Sequence, residues 1–183
     1  MEALRGMDRG DFPQPSLACD VSTADCRLPT APPQRYHPHD ETAALIVAAA
    51  RGWIGTPYRH QGSKQGVGCD CLGLVRGIWR AVYGGEAERP AAYAADWAEA
   101  GGEDLFLAAA RRHCREKPIG ERMPGDLLLF RWRPHLPAKH AGILVENGRF
   151  IHAYQGHCVT VSSLVPQWRR RIAAVFCFPT PNN

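Results

Sequence analysis

No run of apolar residues in this chain approaches the roughly 20 that a membrane-spanning helix needs, which excludes an integral membrane protein. The residues after Met1 bring Arg5, Asp8, Arg9 and Asp11 where a secretion signal would carry its apolar core. Ser16-Leu17-Ala18-Cys19 has no apolar run before it either, so it is not read as a lipoprotein cleavage site. The expectation is a chain made soluble and unexported. Paired cysteines are lacking too. Seven stand at 19, 26, 69, 71, 114, 158 and 177, odd in number and irregular in spacing, which argues for reduced, partly buried thiols over a disulfide framework. Charge of one sign is scarce: 22 Lys and Arg against 18 Asp and Glu leave a formal +4. The densest cluster, Arg169-Arg170-Arg171 beside Trp168, is too small to argue for nucleic acid and reads as a solvated or anion-facing surface. No internal repeat is present.

The 183 residues, 45% hydrophobic and 9% aromatic, suit one domain with an appended arm. Residues 1–38 form the arm, with prolines at 13, 15, 29, 32, 33 and 38, few large apolar residues and no periodicity. Such a segment does not bury enough surface to offset its ordering entropy, so it is expected to be flexible unless a partner orders it. Residues 39–183 form the domain. Asp40 is the expected N-cap of a helix through Ala43, Ala44, Ile46, Val47, Ala50 and Trp53 that ends near Gly55. A glycine-rich loop runs from Gly62 to Gly68. Asp70 then caps a second helix with the stripe Leu74, Val75, Ile78, Trp79 and Val82, stopped by Gly84-Gly85. A third helix is expected from Glu103 to about Arg115, with Leu105, Phe106, Ala109 and Ala110 inward. About five strands follow, over Asp126–Phe130, His140–Val145, Arg149–Tyr154, Val159–Leu164 and Ile172–Phe178. Helices first and an antiparallel sheet afterwards predict an α+β fold.

The chemistry concentrates in Gly66-Val67-Gly68-Cys69-Asp70-Cys71-Leu72-Gly73. Cys71 falls in the first turn of the second helix, where free N–H groups and the positive end of the helix dipole favour a thiolate, the attacking species of cysteine nucleophiles. Cys69 precedes the cap and lacks that support. A three-residue hairpin loop, Glu146-Asn147-Gly148, built on a type I turn and closed by Gly148 in the left-handed conformation, pairs Val145 with Arg149. Counting outward, His140 and His152 share one face, roughly 7 Å apart along the diagonal. His140 is then the candidate base and His152 its orienting partner. A zinc site from His140, His152, His157 and Cys158 lacks recognisable ligand spacing, and no cofactor is implied.

These residues resemble the NlpC/P60 family of papain-like cysteine peptidases, most of which cut bacterial cell-wall peptides. The resemblance lies in Asp70-Cys71-Leu72-Gly73-Leu74-Val75, His140-Ala141-Gly142-Ile143, Phe150-Ile151-His152-Ala153, Gly55-Thr56-Pro57-Tyr58 and Pro124-Gly125-Asp126-Leu127. It implies catalytic roles for Cys71, His140 and His152, and substrate contacts for Tyr58 and Asp70. It further implies cleavage of a peptidoglycan stem peptide between D-γ-glutamate and diaminopimelate. Leu72 stands where the family pattern has Ser. The runs Gly55 to Gly62 and Gly68 to Gly77 are similar to a branch encoded with phage tails and gene transfer agents. That branch implies a tail-tip enzyme docked through residues 1–38, made in the cytoplasm and delivered to the cell wall. Two other readings stay open: a structural tail-tip protein with a vestigial site, and an amidase or acyltransferase on a non-wall substrate.

Overall fold

The structure, a computed structural model, describes residues 38–90 and 103–181. The arm expected over residues 1–38 lies, but for Pro38, outside the described residues. Among the described residues no helix is long and apolar enough to cross a membrane.

Helix α1 (Pro38–Arg51) begins two residues before the expected cap, so Asp40 falls inside the first turn. Pro38 fits there because the first helical N–H has no intrahelical partner to lose. After a turn at Gly55 the chain forms a two-stranded ribbon, β1 (Ser63–Lys64) against β2 (Gly68–Cys69). Asp70 caps α2 (Cys71–Tyr83) as expected: its side chain accepts the Gly73 N–H, and Gly84 ends the helix in the left-handed region at φ 77°. Helix α3 (Leu105–His113) is shorter than expected because Asp104 caps it, accepting from Leu107 N–H. Phe106 and Ala110 point inward, but Leu105 is 58% exposed, contrary to the inward position expected of it.

Six strands, not five, make the main sheet: β3 (Arg115–Lys117), β4 (Leu127–Phe130), β5 (His140–Val145), β6 (Arg149–Ala153), β7 (Val159–Ser163) and β8 (Ile172–Cys177). Their order is β3-β8-β4-β5-β6-β7, and all pairings are antiparallel. The strand that sequence patterning missed is β3, whose Arg-Glu-Lys carries no apolar alternation because it lies at the sheet edge. A single turn, α4 (Pro166–Arg169), precedes β8. The architecture is α+β.

Both faces of the sheet are covered, which is why β4 reads as an unbroken apolar run. Leu127, Leu129, Ile143, Val145 and Ile151 join Ile46, Ala50 and Trp53 of the first helical layer, and Leu74 and Ile78 of α2, in one core. On the other face Trp168 packs edge-on against Phe130 and Phe150 at 5.0 and 5.1 Å between ring centroids. The hairpin between β5 and β6 has the expected three-residue loop and the Val145–Arg149 pairing. A type I turn does not close it, however. Asn147 (φ 60°) and Gly148 (φ 63°) are both left-handed, and asparagine is one of the few side-chain-bearing residues that adopts this region readily.

Candidate active site

Two segments far apart in sequence meet at the start of α2. The Gly62–Cys69 ribbon lies close against the helix: a Cβ on Gly73 would overlap the Gly62 carbonyl, so only glycine fits, and Ser63 Oγ donates to the Gly73 carbonyl at 2.6 Å. Asp70 is 3% exposed and works on both sides of this junction. Its Oδ1 accepts from Gly73 N–H at 2.7 Å and its Oδ2 from Gln61 N–H at 2.7 Å, with His60 Nδ1 3.6 Å away. Cys71 therefore enters the helix from a fixed loop.

The Cys71 thiol donates weakly to the Lys139 carbonyl at 3.8 Å, and the Ala141 backbone also reaches the sulfur. The nucleophile candidate thus lies against the main chain on both sides of His140. His140 Nε2 meets His152 Nδ1 at 2.8 Å, so the shared face expected from the three-residue loop brings the two imidazoles into direct contact. His152 is fully buried, and its Nε2 meets Ser162 Oγ at 2.9 Å. Phe150 stacks on the His152 ring at 4.5 Å, and Trp168 (1% exposed) lies 5.6 Å from the His140 ring and 5.5 Å from that of His152. Trp132 stacks on the outer side of His140 at 6.1 Å, and the Arg171 guanidinium sits 5.1 Å above Trp132. One member of the basic run is thereby engaged beside His140 and not merely solvated.

The electrostatics depart from the expected resting thiolate. The amides of Cys71, Leu72 and Ala141 do favour the charged sulfur, but burial first and the Asp70 carboxylate second outweigh them. The Cys71 thiol is pushed up to about 12. Burial also holds His140 down to about 4, and pushes His152 well below the ordinary imidazole range, with the neighbouring His140 adding to the effect. In the free site burial thus opposes charge on the thiol and on both imidazoles.

Tyr58 is half-buried beside this pair. Its phenol is pushed up to about 12 by burial and then by Cys71, Asp70 and Cys69. Its N–H donates to the His157 carbonyl at 3.0 Å. Cys69 is buried on β2, its thiol also up to about 12, and both Cys69 and Cys71 are free. Among the described residues no three His, Cys, Asp or Glu side chains group to hold a metal ion. Sequence patterning points to neither Ser162 nor Trp132. Placing Ser162 needs the β6–β7 register (His152 with Thr160, Phe150 with Ser162), which the intervening loop sets and local sequence does not reveal.

The model of the NlpC/P60 family matches residues 55–176, more than half of the chain. The chain is 31% identical over 132 residues to the Murein DD-endopeptidase MepS/Murein LD-carboxypeptidase of Escherichia coli (strain K12), covering 72% of this chain and 60% of that protein. It is 28% identical over 137 residues to the Gamma-DL-glutamyl hydrolase of Bacillus subtilis (strain 168), covering 71% of this chain and 28% of that protein. The chain thus spans less than two thirds of either relative. A solved structure from Staphylococcus aureus, described as similar to lipoprotein, NLP/P60 family, superposes with a TM-score of 0.53 at 22% identity. That likeness, over 85% of this chain and 46% of the other, is one of fold.

Proposed function

The chain belongs to the NlpC/P60 family, and on that premise we propose that it is a cysteine peptidase hydrolysing peptidoglycan stem peptides, with Cys71 as nucleophile, His140 as base and His152 as orienting residue. The observation that carries this reading is the contact of His140 Nε2 with His152 Nδ1 beside a cysteine at a helix start. With Nε2 engaged, Nδ1 is the nitrogen of His140 left to take the thiol proton. His140 takes the thiol proton as the sulfur attacks the substrate carbonyl, leaving an imidazolium beside the new C–S bond. The Cys71 backbone N–H, free at the helix start, faces the developing oxyanion. His140 then gives its proton to the leaving amine, and the acyl-enzyme is hydrolysed by a water that His140 deprotonates.

The finer reading is cleavage between D-γ-glutamate and diaminopimelate. The B. subtilis relative is a γ-glutamyl hydrolase by name, which supports it. Tyr58 then lines the substrate site near the thiol, Asp70 meets the amino end of the substrate, and Leu72 replaces a hydroxyl with an apolar surface. The similarity of the Gly55–Gly62 and Gly68–Gly77 runs to tail-encoded enzymes supports a place in a phage-like tail tip, with residues 1–38 docking on neighbouring tail proteins. Mass spectrometry of muropeptides released from purified sacculi tests the activity. Wild type is expected to release fragments with a new N-terminal diaminopimelate amine, and Cys71→Ala none. Equal release by both removes Cys71 from the mechanism.

A further inference from the structure

We infer that Ser162 is a positioning residue of the site: its oxygen accepts the His152 Nε2–H whenever His140 is charged, and so holds the imidazolium that the reaction requires. The inference rests on the catalytic roles proposed above for Cys71 and His140.

His140 Nε2 and His152 Nδ1 are 2.8 Å apart, so one proton lies between them. Once Nδ1 of His140 has taken the proton from Cys71, both its ring nitrogens carry hydrogen and both are donors. His152 Nδ1 must then accept. A neutral imidazole that accepts at Nδ1 carries its proton on Nε2, and that N–H points at Ser162 Oγ, 2.9 Å away. The alternative, with a proton on each His152 nitrogen, would place two cations 2.8 Å apart in a buried site, where burial already disfavours charge on either ring. The transferred proton therefore stays on His140, and nothing passes beyond it.

No water can stand in readily for the serine. His152 is fully buried, stacked under Phe150 and capped by Trp168, and Ser162 itself is 8% exposed. The geometry is set by the sheet: Ser162 lies opposite Phe150 and diagonal to His152 on the same face of the β6–β7 pair. A hydroxyl suits this place better than a fixed donor or a fixed acceptor. It can donate to His152 Nε2 when His140 holds its proton on Nδ1, and accept from it when His140 is charged, by turning about one bond.

The test uses the full chain with Ser162→Ala and Ser162→Thr, and reads two reactions. The first is alkylation of Cys71 by iodoacetamide, which needs the charged pair but no substrate. The second is hydrolysis of a soluble muropeptide, resolved into kcat and KM. Losing a buried acceptor is expected to slow both alkylation and kcat about tenfold in Ser162→Ala, leave KM unchanged, and leave Ser162→Thr near wild type. Wild-type alkylation in Ser162→Ala overturns the inference. So does a Thr variant as slow as Ala, since that assigns the loss to packing. If wild type alkylates in a Ser162-dependent way yet releases no product from the muropeptide, the peptidase reading fails while the role of Ser162 stands.

Discussion

Replacing Asp70 by asparagine separates two effects that the carboxylate combines. Its two oxygens each take one N–H at 2.7 Å, from Gly73 in the helix and from Gln61 in the loop, in a place 3% exposed. Asparagine keeps one oxygen for one of these donors but turns an NH2 toward the other, leaving a buried N–H facing a donor. An unmade bond of that kind costs about 1–3 kcal/mol. For a domain of this size a loss of about 2 kcal/mol lowers the melting temperature by roughly 4–8 °C. Alanine removes the helix cap as well, for about 1 kcal/mol more. Stability should therefore fall in the order wild type, Asp70→Asn, Asp70→Ala. Thiol reactivity should move the other way. The Asp70 charge is one of the two causes that raise the Cys71 thiol to about 12, so its removal brings the thiol down. Thermal unfolding followed by circular dichroism reads the first effect, and the rate of Cys71 alkylation at neutral pH reads the second. An asparagine variant that melts with wild type would rule out the two-sided anchor, and one that alkylates no faster would rule out the charge effect.

Other outcomes follow from the same packing and electrostatics. Unfolded histidines take up protons near pH 6.5, whereas burial holds His140 down to about 4 and pushes His152 well below the ordinary range, so stability is expected to fall as pH drops below 6.5. Cys69, Cys71 and Cys114 are held up to about 12 against an ordinary 9, so the unfolded chain loses protons first and stability falls again above pH 9. Urea midpoints measured across pH should show a maximum between these limits, and a flat profile would contradict both shifts. Gly77→Ala would drive a methyl into the Trp53 ring, for about 1–3 kcal/mol, visible as a lower urea midpoint at unchanged slope. Lys117→Met strands the buried Asp126 carboxylate, now 3.0 Å from the ammonium, and is expected to cost about 3–5 kcal/mol at neutral pH, with a smaller loss in acid where Asp126 protonates. Denaturant titrations at two pH values check that difference.

What could be read from local sequence was what local physics decides. Asp70 as cap, Cys71 in the first turn and Gly84 as stop depend on residues within a few positions of one another, and the structure has all three. The shared face of His140 and His152 follows from the three-residue length of the loop and is kept even though the turn type differs, while their direct contact depends on how the side chains pack. What escaped depends on distant packing. β3 is a strand because β8 pairs with it, not because Arg115, Glu116 and Lys117 favour one. The desolvation of His140 and His152 arises from packing by Trp168 and neighbouring segments, which no stretch around Cys71 encodes. Leu105 sits where periodicity turns it inward, but Asp104 fixes the helix start and leaves it exposed.

The strand order carries a consequence for how the molecule assembles. β8, the latest strand in the chain, lies between β3 and β4, and β4 has β5 on its other side. Until β8 arrives, β3 has no partner in the sheet, and the Leu-Leu-Leu-Phe of β4 presents one open edge of unpaired amides and carbonyls flanked by large apolar side chains. Pairing across such sequence distance is slow relative to helix formation. During that interval the open edge is a template for the same strand of another chain. Refolding yield should therefore fall with protein concentration while the helices form undisturbed, and the aggregates should be built on β4.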